Sequence, residues 1–152
     1  MLTKRLFTKY WLPVIAWMLL IFLGSSATLS SQQTSRFLRP VIHWLFPSLP
    51  EQTVNRVVAV ARKGAHVTEY GVLALLIWRA RRRLVQSAAR PWAWRDAGFA
   101  FALAVAYATT DEFHQTLIPA RQGSGWDVLL DSCGAAGALL LLWAIGRWRK
   151  KW

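Results

Sequence analysis

Three short clusters hold most of the side chains that could do chemistry. The first is Lys63, His66, Glu69 and Tyr70. The second is Asp111, Glu112, His114 and Gln115, and the third is Arg121, Ser124, Asp127 and Asp131. On a helix, Lys63, His66 and Tyr70 fall at i, i+3 and i+7 and share one face, flanked by Glu69. Asp111 and Gln115 are four apart and share a face, with Glu112 about 100° around the axis; Asp127 and Asp131 are also four apart. Three chemistries suit these residue types. His66, Glu69, Asp111, Glu112, His114 and Asp131 are metal-ligand types, yet no HExxH spacing is present and no metal is assigned. A carboxylate in an apolar setting beside a second carboxylate is fitted to hold and pass a proton. That suits Glu112 beside Asp111, or Glu69, as a general acid or base with His66 as partner. Finally, Lys63, Arg62 and Arg121 could clamp a phosphate while the acids orient hydroxyls or amines. The plainer alternative is helix-pairing glue, with Lys63 or Arg121 neutralising Asp111, Glu112 or Asp127 and His66 bonded to Glu69. Interhelical polar contacts contribute only ~0.6 kcal/mol each, so pairing alone does not demand this many acids.

The elements that must carry these clusters are apolar. Four segments, about 10–29, 64–78, 97–118 and 126–146, are rich in aliphatic and aromatic residues. Most of the 19 Lys and Arg flank them in three places. These are the N-terminus (Lys4, Arg5, Lys9), the middle loop (Arg79, Arg81, Arg82, Arg83, Arg90, Arg95) and the C-terminus (Arg147, Arg149, Lys150, Lys151), with Asp96 as the one acid among them. Glu51, Glu69, Asp111, Glu112, Asp127 and Asp131 lie in or near the other two connections. The positive-inside rule then predicts four transmembrane helices in the cytoplasmic membrane of a bacterium, with both termini cytoplasmic. All three clusters fall on the extracytoplasmic side. Glu69 lies ~15 Å from Arg79 along a helix axis, near the middle of a ~30 Å hydrocarbon core. Ionisable groups at such depth turn inward, pair or stay wet, and mark a functional site by default. The expectation is one polar cleft, open to the outside, built from three helices.

The totals agree with this reading. The 152 residues with a net charge of +12 make one domain, residues 1–152. The base hugs the ends of apolar segments, so the anionic inner leaflet is the expected partner of the basic loops, and no soluble part is left to bind nucleic acid. Of the ten Trp, Trp11, Trp78, Trp126, Trp143 and Trp148 stand near segment ends, where indole favours the headgroup region. The lone Cys133 excludes an internal disulfide and is read as packing. Lys4-Arg5, an apolar run and Ser25-Ser26-Ala27 resemble a secretory signal, but the run is long enough to span a bilayer and is read as an uncleaved first helix. Between the first two spans, Phe37, Leu38, Val41, Ile42, Leu45 and Phe46 recur at helical spacing, with Arg36, Arg39 and His43 elsewhere. This is an extracytoplasmic amphipathic helix, broken by Pro47 and Pro50. Glu51 then opens a helix that can run straight into the second span. Gly134, Ala135, Ala136, Gly137 and Ala138 form a smooth surface for close helix packing and for a homo-oligomer.

Two stretches carry a family resemblance. Arg62-Lys63-Gly-Ala-His66-Val-Thr-Glu69-Tyr70-Gly-Val-Leu resembles the first signature of VanZ-like membrane proteins. Thr110-Asp111-Glu112-Phe113-His114-Gln115, continuing through Pro119-Ala-Arg121-Gln-Gly-Ser124-Gly-Trp-Asp127 to Asp131, resembles the second. The resemblance covers roughly residues 10–146. The family takes its name from a protein linked to resistance to the glycopeptide teicoplanin. It implies a small polytopic protein of the cell envelope, without a settled reaction or cofactor. The motif residues carry over as Lys63, His66, Glu69, Tyr70, Asp111, Glu112, His114, Gln115, Arg121, Ser124, Asp127 and Asp131, the set the charge pattern selects. Glu112, His66 and Asp111 are the candidate catalytic groups, and the others are candidate binding groups. The expected fold is all-α and polytopic. The expected activity is binding or modifying a lipid-linked envelope component or glycopeptide-like amphiphile at the outer leaflet. A membrane-embedded hydrolase or transferase acting on a lipid headgroup is the alternative, and a small transporter subunit the third.

Overall fold

Among the described residues the chain forms five helices: α1 (Leu2–Ser25), α2 (Ser31–Leu45), α3 (Glu51–Leu84), α4 (Trp94–Thr116) and α5 (Gly125–Trp148). The computed structural model describes residues 2–25, 31–84, 92–117 and 123–152. All of it is helix, turn or short connection. The start of α3 follows from Pro50, whose carbonyl accepts from Thr53 N at 2.9 Å and Val54 N at 3.1 Å. Glu51 stands in its first turn and Arg81, Arg82 and Arg83 in its last, which suits the helix dipole at both ends. As expected, the helix opened by Glu51 runs unbroken into the second apolar segment. It spans 34 residues, ~51 Å, so the expected span 64–78 is only its middle. α4 and α5 lie within three residues of their expected bounds, with residue 118 outside the described residues, whereas α1 begins at Leu2, eight residues before the expected start, and its expected continuation from Ser25 to Leu29 lies outside the described residues. Ser124 caps α5, its hydroxyl oxygen accepting from Trp126 N at 3.2 Å.

The long α3 is the hub, packed against α5, α1 and α4, while α2 leans on its first turns. The fit rests on small residues. Ala100, Ala104 and Ala108 form a buried row on α4, and Gly71 faces Gly134 between α3 and α5. Large apolar residues point outward instead: Leu12, Ile15, Leu19 and Leu20 on α1, and Leu129, Leu140 and Leu141 on α5. Small and polar inside with large and apolar outside is the pattern of a bundle solvated by lipid. Among the described residues, two helices are long and apolar enough to cross a membrane, at Phe7–Ser25 and Gly125–Trp148. By that criterion α3 and α4 are too polar over their length. His66 and Glu69 interrupt one, and Asp111, Glu112 and His114 the other.

The bundle has two chemically distinct ends. At one, Arg81 Nε donates to Asp96 at 2.8 Å, joining the end of α3 to the start of α4. Trp92 stacks on Trp78 at 5.4 Å and packs against Trp152 at 5.6 Å. Arg79 and Arg83 sit over the ring of Tyr10. The basic flanks of α1, α3, α4 and α5 therefore gather at one end. The opposite end carries α2 and the polar clusters. There the apolar side of α2, with Phe37, Val41 and Trp44, is exposed, and its polar side meets α3. His43 Nε2 lies 3.1 Å from Glu51, and Arg39 bonds Asn55.

Candidate functional site

Four helices meet around Asp111. Tyr70 on α3 sits at the bundle centre with no exposed surface, and its hydroxyl donates to Asp111 Oδ2 at 3.4 Å. One turn along α4, Gln115 Nε2 donates to the same oxygen at 3.1 Å. From the end of α1, Ser25 Oγ donates to Asp111 Oδ1 at 2.5 Å. Among the described residues, Asp111 is thus held by three neutral donors rather than by a cation. Such bonds fix its orientation.

Glu112 is also buried, at 7% exposure, and turns toward the loop before α5. Its Oε2 accepts from Ser124 N at 2.8 Å. The loop fits against it closely: a Cβ on Gly123 would lie 2.6 Å from the Glu112 carbonyl oxygen and 2.5 Å from Thr116 Cγ2. Glycine is required there by the close approach of two backbones. Asp131 on α5 is buried at 3% exposure, within electrostatic range of Glu112, Asp111, Asp127 and Glu69. The expected meeting of acids from α3, α4 and α5 is therefore present.

Around this buried group runs a wetter rim. Lys63 Nζ donates to Asp127 Oδ1 at 2.6 Å, tying α3 to α5, with both side chains a third or more exposed. His66 Nδ1 lies 3.7 Å from Glu69 Oε2. Both pairings are those the helix-glue reading anticipates. Glu69 is partly exposed, and its backbone carbonyl accepts from Trp17 Nε1 of α1 at 2.9 Å. His114 packs its ring on Phe22 at 4.6 Å, and its buried Nδ1 has no hydrogen-bond partner among the described residues. Arg121 lies outside the described residues. Ser124 contributes its backbone N–H to Glu112 and spends its hydroxyl on the helix cap. Among the described residues, no three His, Cys, Asp or Glu side chains are placed to hold a metal ion.

Two residues in this network were not selected from sequence. Ser25 reads there only as part of a small-residue run, and nothing local points it at Asp111, 86 residues away. Tyr107, whose hydroxyl donates to Met18 O at 2.6 Å, ties α4 to α1. A tyrosine in an apolar helix offers a polar tip that seeks a partner once buried, and this was the available signal.

The arrangement can hold an amine, a hydroxyl or a proton between fixed carboxylates, with a basic residue at its rim. No curated protein and no solved structure matches the chain. Residues 10–146 match the VanZ/LLP1 family, and the chain belongs to it.

Proposed function

We propose that this protein is a four-span membrane protein of the bacterial envelope whose carboxylate cluster opens to the outer face of the cytoplasmic membrane. There it binds or modifies a lipid-linked envelope component or a glycopeptide-like amphiphile, and so contributes to antibiotic resistance. One observation carries the reading: buried Asp111, Glu112 and Asp131 sit together at the end of the bundle opposite Arg79, Arg81 and Arg83. Carboxylates at that depth are costly and are kept where a ligand or a proton needs them. The amphipathic α2 beside them, with Trp44 and Phe37 exposed, suits a surface lying in the headgroup layer. A ligand that is polar at one end and apolar at the other matches a polar cluster at a lipid boundary.

A second reading has its own support. Asp111 is held by Tyr70, Gln115 and Ser25, with Glu112 next to it in sequence and buried too. Two fixed carboxylates of this kind suit acid–base chemistry on a headgroup, with Glu112 as acid or base. The family link to resistance is tested by the glycopeptide and lipopeptide susceptibility of bacteria expressing the protein or its Glu112→Gln variant at equal membrane abundance. Tolerance should rise with the native chain and return to baseline with the variant; unchanged susceptibility with both would remove resistance from the reading. Orientation is tested by an impermeant thiol reagent in a Cys133→Ala background. Ser48→Cys, in the turn before α3, should label in intact cells, and a shielded thiol there would invert the topology.

A further inference from the structure

We propose a second binding site at the basic end of the bundle, for the phosphate group of an anionic phospholipid. Lys9 Nζ lies 5.9 Å from the centroid of the Tyr10 ring, Arg79 Cζ 5.4 Å and Arg83 Cζ 5.8 Å. Three cations from two helices thus converge on one ring. Among the described residues, none of the three has a carboxylate within ion-pair distance; the acid at this end, Asp96, is taken by Arg81 at 2.8 Å. Attraction to the ring holds each cation, but the three like charges still repel one another. An anion between them removes that repulsion. A phosphate does so with pairs of oxygens that a planar guanidinium grips in two-pronged fashion.

The position selects the source of the phosphate. Tyr10 stands in the first turns of the apolar stretch Phe7–Ser25, where a span meets water. Phe7 stacks on Trp11 at 5.8 Å, and exposed Phe7 and Leu12 extend the apolar surface beside the cations. A lipid phosphate here would have its acyl chains along α1, a contact that free phosphate lacks. The site is ~22 Å along α1 from Ser25, so it is separate from the carboxylate cluster and does not depend on its function. It also differs from a diffuse attraction of basic loops to a charged leaflet, because it names three side chains and one ring.

The test uses the full chain in neutral detergent, stripped of lipid, with bound species counted by native mass spectrometry. No charged membrane surface exists there, so only a local site can discriminate. Phosphatidylglycerol, phosphatidylcholine and inorganic phosphate are titrated separately. One exposed ion pair contributes up to about 1 kcal/mol, about fivefold, so Arg79→Gln with Arg83→Gln should weaken phosphatidylglycerol retention ~25-fold. Arg147→Gln with Arg149→Gln removes equal charge elsewhere and should leave retention unchanged. Melting curves report whether each variant folds. If the first double variant does not, Lys9→Gln takes its place, with a loss of about fivefold. Equal retention of both lipids, or equal losses in both double variants, would overturn the site. Displacement of the lipid by equimolar inorganic phosphate would overturn the lipid assignment.

Discussion

Replacing Gly134 by alanine tests the α3–α5 contact on which the carboxylate cluster depends. A Cβ at Gly134 would lie 2.2 Å from the Val67 carbonyl oxygen and 2.9 Å from its carbon. Both are backbone atoms, so no side chain can swing aside and α5 must move off α3. Overpacking of this kind typically costs 1–3 kcal/mol, and a backbone obstruction belongs at the upper end, about 3 kcal/mol. Gly137, on the same helix, has nothing within 4 Å of such a Cβ. Alanine there should instead stabilise by about 0.8–1 kcal/mol through helix propensity. The two substitutions are chemically identical and less than one turn apart, yet should differ by about 4 kcal/mol, ~1,000-fold in the unfolding equilibrium. The assay is unfolding in mixed micelles with rising dodecyl sulfate, followed by far-ultraviolet circular dichroism. Similar shifts for both variants, or a loss below about 1 kcal/mol for Gly134→Ala, would refute the close approach.

Three further outcomes follow from the same geometry. Ser25→Ala removes one of three donors to buried Asp111, and unfolding should show a loss of about 1–3 kcal/mol, most of it absent when Asp111→Ala is already present. Gly123→Ala presses a methyl onto the Glu112 carbonyl and Thr116; a destabilisation of about 1–3 kcal/mol is expected, and Thr116→Ser should relieve only part of it. Lys63→Gln breaks an ion pair exposed to water, so stability should change by less than about 1 kcal/mol and less still in high salt.

Much of this arrangement is legible in the sequence because polar residues in apolar helices are costly and therefore sparse. Asp111 and Gln115 four apart, and Tyr70 on the inner face of α3, announce one buried side before any coordinates exist. Likewise Phe37, Val41 and Leu45 against Arg39 and His43 announce the amphipathic α2. What stays hidden is what depends on contact between distant segments. Ser25 carries no periodic signal, since a serine ending a helix satisfies itself locally as often as it reaches elsewhere. Gly123 looks like any loop glycine until the Glu112 carbonyl is found against it. Hydropathy picks out α1 and α5 and passes over α3 and α4, where the groups that build the candidate site dilute the apolar signal. The pairing of Lys63 with Asp127, rather than with Asp111 or Glu112, is set by helix rotation, which periodicity alone leaves open.

The most direct test of the carboxylate cleft is native mass spectrometry of the protein extracted with its own lipids, beside Asp111→Asn and Glu112→Gln variants shown by melting to be folded. The account predicts a headgroup-bearing amphiphile retained by the native chain and lost from both variants. An identical complement of bound lipids in all three folded proteins would contradict it.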